Sequence, residues 1–252
     1  MLVLGAFSTL NSCTTGNDES REEQIRLDSS SFLSADSVQN SIQGNLSMTQ
    51  LGSYPNNVIL TGLKDHRLVT IYKASKPERK RSADYSSYSY DEGVNDDRYQ
   101  HFMPGIDLLF GYNLMNIAHY DLKAEKLNYF FDHPVLVKSL YYPSFVQDSI
   151  ERKPINRDYY LVSAYDADTN HDTLINKNDL RRMYYYNASC TDRHALLPME
   201  YSASRSEYDD GNDLMYVFAK FDENGNGTID KAEPLHVFLI DLKTATQAKR
   251  LY

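Results

Sequence analysis

Short apolar stretches alternate with polar turns along most of this chain. The stretches are mostly aromatic or β-branched and are bounded by Gly, Asp, Asn or Pro, which is typical of strands. They are Asn57–Leu63, Arg67–Lys73, Ile106–Ala118, Lys126–Phe131, Tyr159–Tyr165, Met183–Tyr186, Leu214–Phe221 and Leu235–Leu242. Twenty-one tyrosines and no tryptophan strengthen this bias, because tyrosine suits the half-buried surface of a sheet. The pattern predicts a mainly β fold built of antiparallel strands.

The polar stretches divide the sequence into three parts. Residues 14–50 are rich in Ser, Asn, Gln, Asp and Glu and predict a flexible tether between an apolar N-terminal segment, 1–13, and the rest. Residues 51–252 form the predicted β domain. Two further polar stretches, Ser75–Gln100 and Ser202–Asp213, are interpreted as inserts within this domain.

The C-terminal half contains an internal repeat. Six residues recur with the same 54-residue offset, from 168 to 222 in the first case. Asp168, Ile175, Asp179, Tyr184, Asn187 and Leu197 recur as Asp222, Ile229, Glu233, Phe238, Asp241 and Leu251. Farther upstream, Asn116–Phe131 matches Phe238–Tyr252, and both read as a strand ending in Asp-Leu-Lys, a polar turn and a return strand. Repeated antiparallel units of this length predict a β-propeller-like or open β-repeat domain.

Two acidic loops occupy the same place in the repeat. Calcium prefers several oxygen ligands, and in EF-hand loops these come from positions 1, 3, 5, 7, 9 and 12. In the second loop, residues 222–233, the predicted ligands are Asp222, Asn224, Asn226, the carbonyl of Thr228, Asp230 and Glu233. In the first loop, residues 168–179, they are Asp168, Asn170, Asp172, the carbonyl of Leu174, Asn176 and Asp179. The sequence therefore predicts two Ca²⁺ sites.

The first loop departs from the pattern at two positions. Thr173 stands where Gly227 of the second loop supplies the sharp turn, so its positive φ angle is costlier. Asp179 replaces the glutamate of the twelfth position and reaches less far, so we expect it to give one oxygen or to tighten the loop.

The flanks of the loops resemble three kinds of protein. VFAKFDENGNGTIDKAE, with Leu214 and Val217 at helical spacing, resembles an EF-hand of the calmodulin type, and DTNHDTLINKNDLRRMYYY resembles half of a dockerin. However, Pro234 and the β-rich LHVFLIDL follow the second loop directly. Residues 159–252 better resemble bacterial envelope proteins in which EF-hand-type loops interrupt propeller-like β-repeats between two strands. That resemblance implies a calcium-stabilised binding or scaffold module with an unknown protein or polysaccharide partner. The alternative is a helical EF-hand or dockerin-like module that docks a protein.

The N-terminal segment MLVLGAFSTLNSC is too short to span a bilayer as a helix and is typical of a secretory signal. Its end resembles a bacterial lipobox, which implies lipidation of Cys13, attachment to a membrane and a location in the cell envelope, periplasmic or outer-membrane. The alternative is an incidental cysteine in an apolar N-terminus. Lipidation of Cys13 leaves Cys190 without a partner, so we expect no disulfide.

Net charge and missing motifs exclude several other classes. The formal net charge of −9 argues against nucleic-acid binding, which needs a basic face. The sequence has no phosphate-binding loop, dinucleotide fingerprint, HExxH or nucleophile elbow, so we predict no catalytic residues and a non-enzymatic protein. The seven histidines are scattered and are interpreted as structural.

Overall fold

The computed structural model describes residues 23–27, 52–73 and 99–252, and within these ranges it contains eighteen strands and no helix. The strands are β1 Gln24–Arg26, β2 Ser53–Leu60, β3 His66–Lys73, β4 Tyr99–Met103, β5 Ile106–Phe110, β6 Leu114–Asp121, β7 Lys126–Tyr129, β8 Leu136–Pro143, β9 Asp148–Ile150, β10 Lys153–Ile155, β11 Tyr159–Tyr165, β12 Leu174–Asn176, β13 Arg181–Asn187, β14 Arg193–Ala195, β15 Tyr201–Asp209, β16 Leu214–Phe221, β17 Leu235–Asp241 and β18 Ala248–Arg250. The mainly β prediction is confirmed. The helical alternative is wrong for the described residues, because Leu214–Phe221 is a strand and not an entering helix.

Three antiparallel sheets contain most of the strands. The first sheet has the order β2-β3-β6-β7, the middle sheet β14-β13-β11-β8-β5-β4, and the C-terminal sheet β15-β16-β17-β18. Two short pairs, β1 with β12 and β9 with β10, lie beside them. Among the described residues, no helix is long and apolar enough to cross a membrane.

The sequence repeat corresponds to a four-stranded meander. Strands β8, β11, β13 and β14 pair in chain order, and so do β15, β16, β17 and β18. In both meanders, the predicted calcium loop joins the second strand to the third. The upstream copy of the hairpin is β6 and β7, the third and fourth strands of the first sheet. In the first sheet, the second and third strands, β3 and β6, are separated in the sequence by residues 74–113, which include β4 and β5 of the middle sheet.

Alternating side chains of the middle sheet pack in two directions. On β11, Tyr159 and Leu161 join a core with Met215 and Phe238 of the C-terminal sheet. Their neighbours Tyr160 and Val162 join another core with residues of the first sheet such as Leu68 and Ile117. Successive side chains of a strand point to opposite faces, so one strand serves both cores. The described strands therefore form a stack of three sheets, and no closed ring is found among them.

Two stretches, one apolar and one polar, have a structure that differs from the one predicted from the sequence. The apolar run Ile106–Ala118 is two strands in different sheets, separated by a turn at residues 111–113. A Cβ on Gly111 would lie 1.9 Å from the carbonyl oxygen of Val137, so only glycine allows this close approach. Most of the polar stretch Ser202–Asp213 is strand β15, which pairs along its length with β16. Its composition does not indicate a strand, because few of its residues, such as Ala203, are apolar and face the core.

Candidate metal centre

The second loop connects two adjacent strands of the C-terminal sheet. Strand β16 ends at Phe221, and β17 begins at Leu235. The base of the loop is closed by hydrogen bonds from Phe221 N to the Pro234 carbonyl, 3.0 Å, and from Asp222 N to the Glu200 carbonyl, 2.9 Å. Pro234, which follows the twelfth position, thus pairs with the last residue of the strand that enters the loop. Two strands flank this loop, whereas two helices flank the loop of an EF-hand.

Side-chain oxygens of the second loop converge on its own backbone amides. Asn226 N donates to Asp222 Oδ1 at 3.1 Å and to Asn224 Oδ1 at 2.9 Å. Gly227 N donates to the other oxygen of Asp222, and Thr228 N donates to Asn226 Oδ1. Side-chain oxygens of positions 1 and 3 therefore accept hydrogen bonds from the same N–H group, that of Asn226. This brings the side-chain oxygens of Asp222, Asn224 and Asn226 close together.

Glu233, at the twelfth position, has an unused buried oxygen. The residue is 8% exposed. Its Oε2 accepts a 2.9 Å hydrogen bond from Asp230 N, whereas Oε1 is buried and has no hydrogen-bond partner among the described residues. A buried polar atom without a partner costs about 1–3 kcal/mol, more for a charged group. This oxygen is therefore available to an additional ligand, such as a cation.

The donors of the second loop fit calcium. They are carboxylate oxygens of Asp222, Asp230 and Glu233, amide oxygens of Asn224 and Asn226, and the carbonyl of Thr228. All are hard oxygen ligands, and a twelfth-position glutamate can give both oxygens to the ion. Among the described residues, no cluster of three or more His, Cys, Asp or Glu side chains forms a metal site by itself. In these loops the carboxylates are interleaved with amide and backbone oxygens.

The first loop repeats five hydrogen bonds of the second. In both loops, the backbone amide of position 5 donates to the side chains of positions 1 and 3. The amide of position 6 donates to position 1, that of position 7 to position 5, and that of position 9 to position 12. The distances in order are 3.0, 3.1, 2.9, 2.9 and 2.8 Å in the first loop. In the second loop they are 3.1, 2.9, 2.9, 3.0 and 2.9 Å. The equal spacing seen in the sequence therefore corresponds to equal local geometry.

Backbone angles repeat as well. Thr173 has φ of 70° where Gly227 has 74°, and His171 has φ of 62° where Gly225 has 69°. A left-handed conformation costs a residue with a Cβ about 1–2 kcal/mol. The first loop adopts it at two such residues, so its turn is held by the hydrogen bonds around it.

The two loops differ at the twelfth position. Asp179 Oδ2 accepts from Asn176 N, as Glu233 does from Asp230 N, but Asp179 Oδ1 also accepts from Thr169 N at 2.7 Å and from the Thr169 hydroxyl at 3.2 Å. Both oxygens of this shorter side chain are thus used by the chain. Burial raises the pKa of the Asp179 carboxyl. The first loop closes on its own carboxylate, whereas the second leaves one carboxylate oxygen unpaired.

A short strand from the N-terminal region covers the first loop. Strand β1 pairs antiparallel with β12, Ile25 opposite Ile175, and Leu27 N donates to the Thr173 carbonyl at 2.9 Å. Both isoleucines are buried with Met115 and Leu136. Residues 23–27 belong to the predicted tether, and the only sequence signal for this strand is the polar–apolar alternation of Gln24 to Leu27. Cys13 and the rest of residues 14–50 lie outside the described residues.

Two other groups stand out for their chemistry. His119 is fully buried, and its Nε2 lies 3.0 Å from Nδ1 of His66, with the rings stacked. Burial, followed by the charge of His66, lowers the pKa of His119 to about 4. Cys190 carries a free thiol whose pKa is raised by burial. A buried thiol of this kind is inert, because the thiolate is the reactive form.

A scan against models of known protein families finds no match for this chain, and a search of curated proteins finds no significant match either.

Proposed function

We propose that the protein is a calcium-binding, calcium-stabilised lipoprotein of the bacterial cell envelope that acts as a binding or scaffold module. The observation that carries the calcium part is Glu233 Oε1, a buried carboxylate oxygen that has no partner in the part of the chain that the structure describes. It stands at the twelfth position of a loop whose other side-chain oxygens converge. It supports the second loop as the stronger of two calcium sites.

Asp222, Asn224 and Asn226 accept hydrogen bonds from the loop backbone. Each of these oxygens has a second lone pair, so a calcium ion would bind them, together with both oxygens of Glu233, while the loop keeps its hydrogen bonds. Three carboxylates in one loop repel each other, so a divalent cation also removes that repulsion.

The position of the loops favours a structural role over a sensor. Sensor EF-hands respond by changing the angle between two helices. Here each loop joins neighbouring strands that are hydrogen-bonded along their length, so these strands have little freedom to move. An ion would fix the joint between them. Extracellular calcium modules bind at about 10⁻⁴–10⁻³ M, and we assign these sites to that class.

The finer architecture and location belong to the same proposal. We interpret the three sheets as blade-like units of an open, propeller-like array, supported by the matching strand order of the two meanders and by the face-to-face packing of the sheets. Lipidation at Cys13 would anchor the chain to the membrane through the tether. Apolar side chains exposed at one edge of the stack, Val58 and Leu60 on β2, are available for a protein or polysaccharide partner.

Calorimetric titration of calcium into paired variants tests the proposal. Glu233→Gln keeps the shape of the side chain but removes the charge and one good ligand, so the affinity of the stronger site should fall at least about tenfold. Glu223→Gln makes the same change at an exposed, non-ligand position of the same loop and should leave the affinity within about twofold. Equal effects of the two variants, or no calcium binding by the unaltered protein, would refute the proposal.

A further inference from the structure

A cleft of about 400 Å³ opens between the middle sheet and the C-terminal sheet. Its inner wall is formed by Leu108, Tyr141, Met183 and Val217, which belong to the core between these two sheets. Phe102 packs edge-on against Tyr141 with ring centroids 5.3 Å apart. The volume lies within the range of small-molecule sites, and the wall offers an apolar, partly aromatic surface.

Small side chains on the middle sheet create this space. Ser139 and Ser163 are opposite each other on β8 and β11 and share a 2.6 Å hydrogen bond. Both serines line the cleft together with Ala203 of β15, another small side chain. Both β11 and β15 also have a bulge here, between Ser163 and Ala164 and between Ala203 and Arg205. Bulges re-aim side chains and are frequent beside functional sites.

Three basic side chains line the cleft, and two of them have carboxylate partners. Lys138 pairs with Glu23, and Arg205 pairs with Glu207 while stacking over the Phe218 ring at 3.5 Å. The third, Arg181, forms no ion pair with any residue that the structure describes. Its Nε donates to the Ala203 carbonyl at 2.5 Å, and its Nη2 donates to the Ser204 carbonyl.

The guanidinium of Arg181 is therefore held in place but not neutralised. A guanidinium has five N–H donors, and the two carbonyls use only two of them. A half-buried cation without a counter-ion among the described residues is less favourable than a paired one. An anion entering the cleft would remove that penalty and could accept two parallel hydrogen bonds.

Hydroxyl groups beside the arginine add polar recognition. The Tyr141 hydroxyl and Ser206 Oγ are 2.8 Å apart on the same wall, near the Ser139–Ser163 pair. Each hydroxyl can serve as both donor and acceptor, so these pairs retain capacity for a ligand.

We propose that this cleft binds a small amphiphilic organic anion, with one carboxylate, sulfate, sulfonate or phosphate group on Arg181 and an apolar or aromatic body against Leu108, Tyr141 and Met183. The site is independent of calcium binding, because none of the predicted calcium ligands lines it. Failure of either proposal leaves the other intact.

Fluorescence titration with two dyes tests the site in the full chain. The probe is 8-anilinonaphthalene-1-sulfonate, and the control is N-phenyl-1-naphthylamine, which has a similar apolar body and no charge. We expect saturable binding of one sulfonate dye per chain. Arg181→Gln should weaken it about tenfold, the value of one charge-assisted contact, and leave the neutral dye within about twofold. Arg152→Gln, which removes one positive charge at an exposed residue that does not line the cleft, should leave both dyes within about twofold.

Arg181 also holds two carbonyls, so its removal could loosen the fold. Arg181→Lys keeps the charge and should retain more of the sulfonate binding than Arg181→Gln does. Ser163→Ala, which leaves the arginine contacts in place, should weaken the sulfonate dye by a few-fold through loss of one hydrogen bond. Equal losses for the sulfonate and neutral dyes in these variants, or no saturable sulfonate binding by the unaltered chain, would overturn the proposal.

Discussion

The hydroxyl of Thr169 donates a 2.5 Å hydrogen bond to the carbonyl oxygen of Gly227. Thr169 is the second residue of the first loop, and Gly227 is the sixth of the second, so the two loops touch although they connect strands of different sheets. The same hydroxyl accepts from Leu180 N and also reaches Asp179 Oδ1. One side chain thus connects the end of the first loop with the turn of the second.

Gly227 leaves no room for a side chain at this contact. A Cβ there would lie 1.8 Å from the Thr169 carbonyl oxygen, and the residue has φ of +74°. Gly225 has φ of +69° in the same loop, but nothing lies within 4 Å of its Cβ position. We predict that Gly225→Ala costs about 1–2 kcal/mol of unfolding free energy, from backbone strain alone.

Gly227→Ala should cost about 3 kcal/mol or more, because it adds a clash with backbone that cannot move aside. Urea denaturation in the presence of a chelator measures both variants without any contribution from the ion. If the two glycines cost the same, the loops are not in the contact described.

The unequal twelfth positions predict unequal sites. Asp222→Ala should abolish the stronger calcium-binding event, since Glu233 completes that site. Asp168→Ala should leave the stronger event within about twofold and remove only a weaker one, because Asp179 is engaged by Thr169 and Asn176. Calorimetry on the two variants measures this. A dominant site that survives Asp222→Ala but is lost in Asp168→Ala would contradict the assignment.

His119 predicts a loss of stability in weak acid. Its pKa is about 4 in the folded protein and 6.5 in an unfolded chain. The unfolded state therefore binds the proton first, and the contribution of His119 is complete above pH 6.5 and lost as the pH falls toward 4. The size of this loss is about 3 kcal/mol, at 1.4 kcal/mol per pKa unit.

The free energy of unfolding, measured between pH 7.5 and 4, should depend less steeply on pH in His119→Gln than in the unaltered protein. His171→Gln changes an exposed histidine outside this buried contact, and we expect the variant to retain the slope. An unchanged slope in His119→Gln would show that His119 does not cause the loss of stability in weak acid.

Local patterns predicted several of the strands but not β8, Leu136–Pro143, in the middle sheet. Tyr159–Tyr165 and Leu214–Phe221 are strands with the predicted bounds, because their apolar, β-branched and aromatic residues occupy buried positions. The five shared hydrogen bonds follow from Asp and Asn at matching loop positions, since these side chains bond to nearby backbone amides.

Other features depend on contacts distant in sequence. Gln24–Arg26 becomes a strand only because it pairs with Leu174–Asn176, and Ile106–Ala118 is divided by a close approach to Val137. The sequence does not predict the cleft, because Ser139, Arg181 and Ala203 come together only when the sheets stack. The composition of Ser202–Asp213 indicates a polar insert, whereas most of it is strand β15 because it pairs with β16.

Thermal unfolding with saturating calcium and with excess chelator tests the central claim most directly. An ion that binds only the folded state raises stability by about 2.7 kcal/mol at a hundred times its dissociation constant, so the melting temperature should rise by several degrees. Asp222→Ala should lose most of that rise. A melting temperature that calcium leaves unchanged, in both the unaltered protein and Asp222→Ala, would show that these loops are not calcium sites that stabilise the fold.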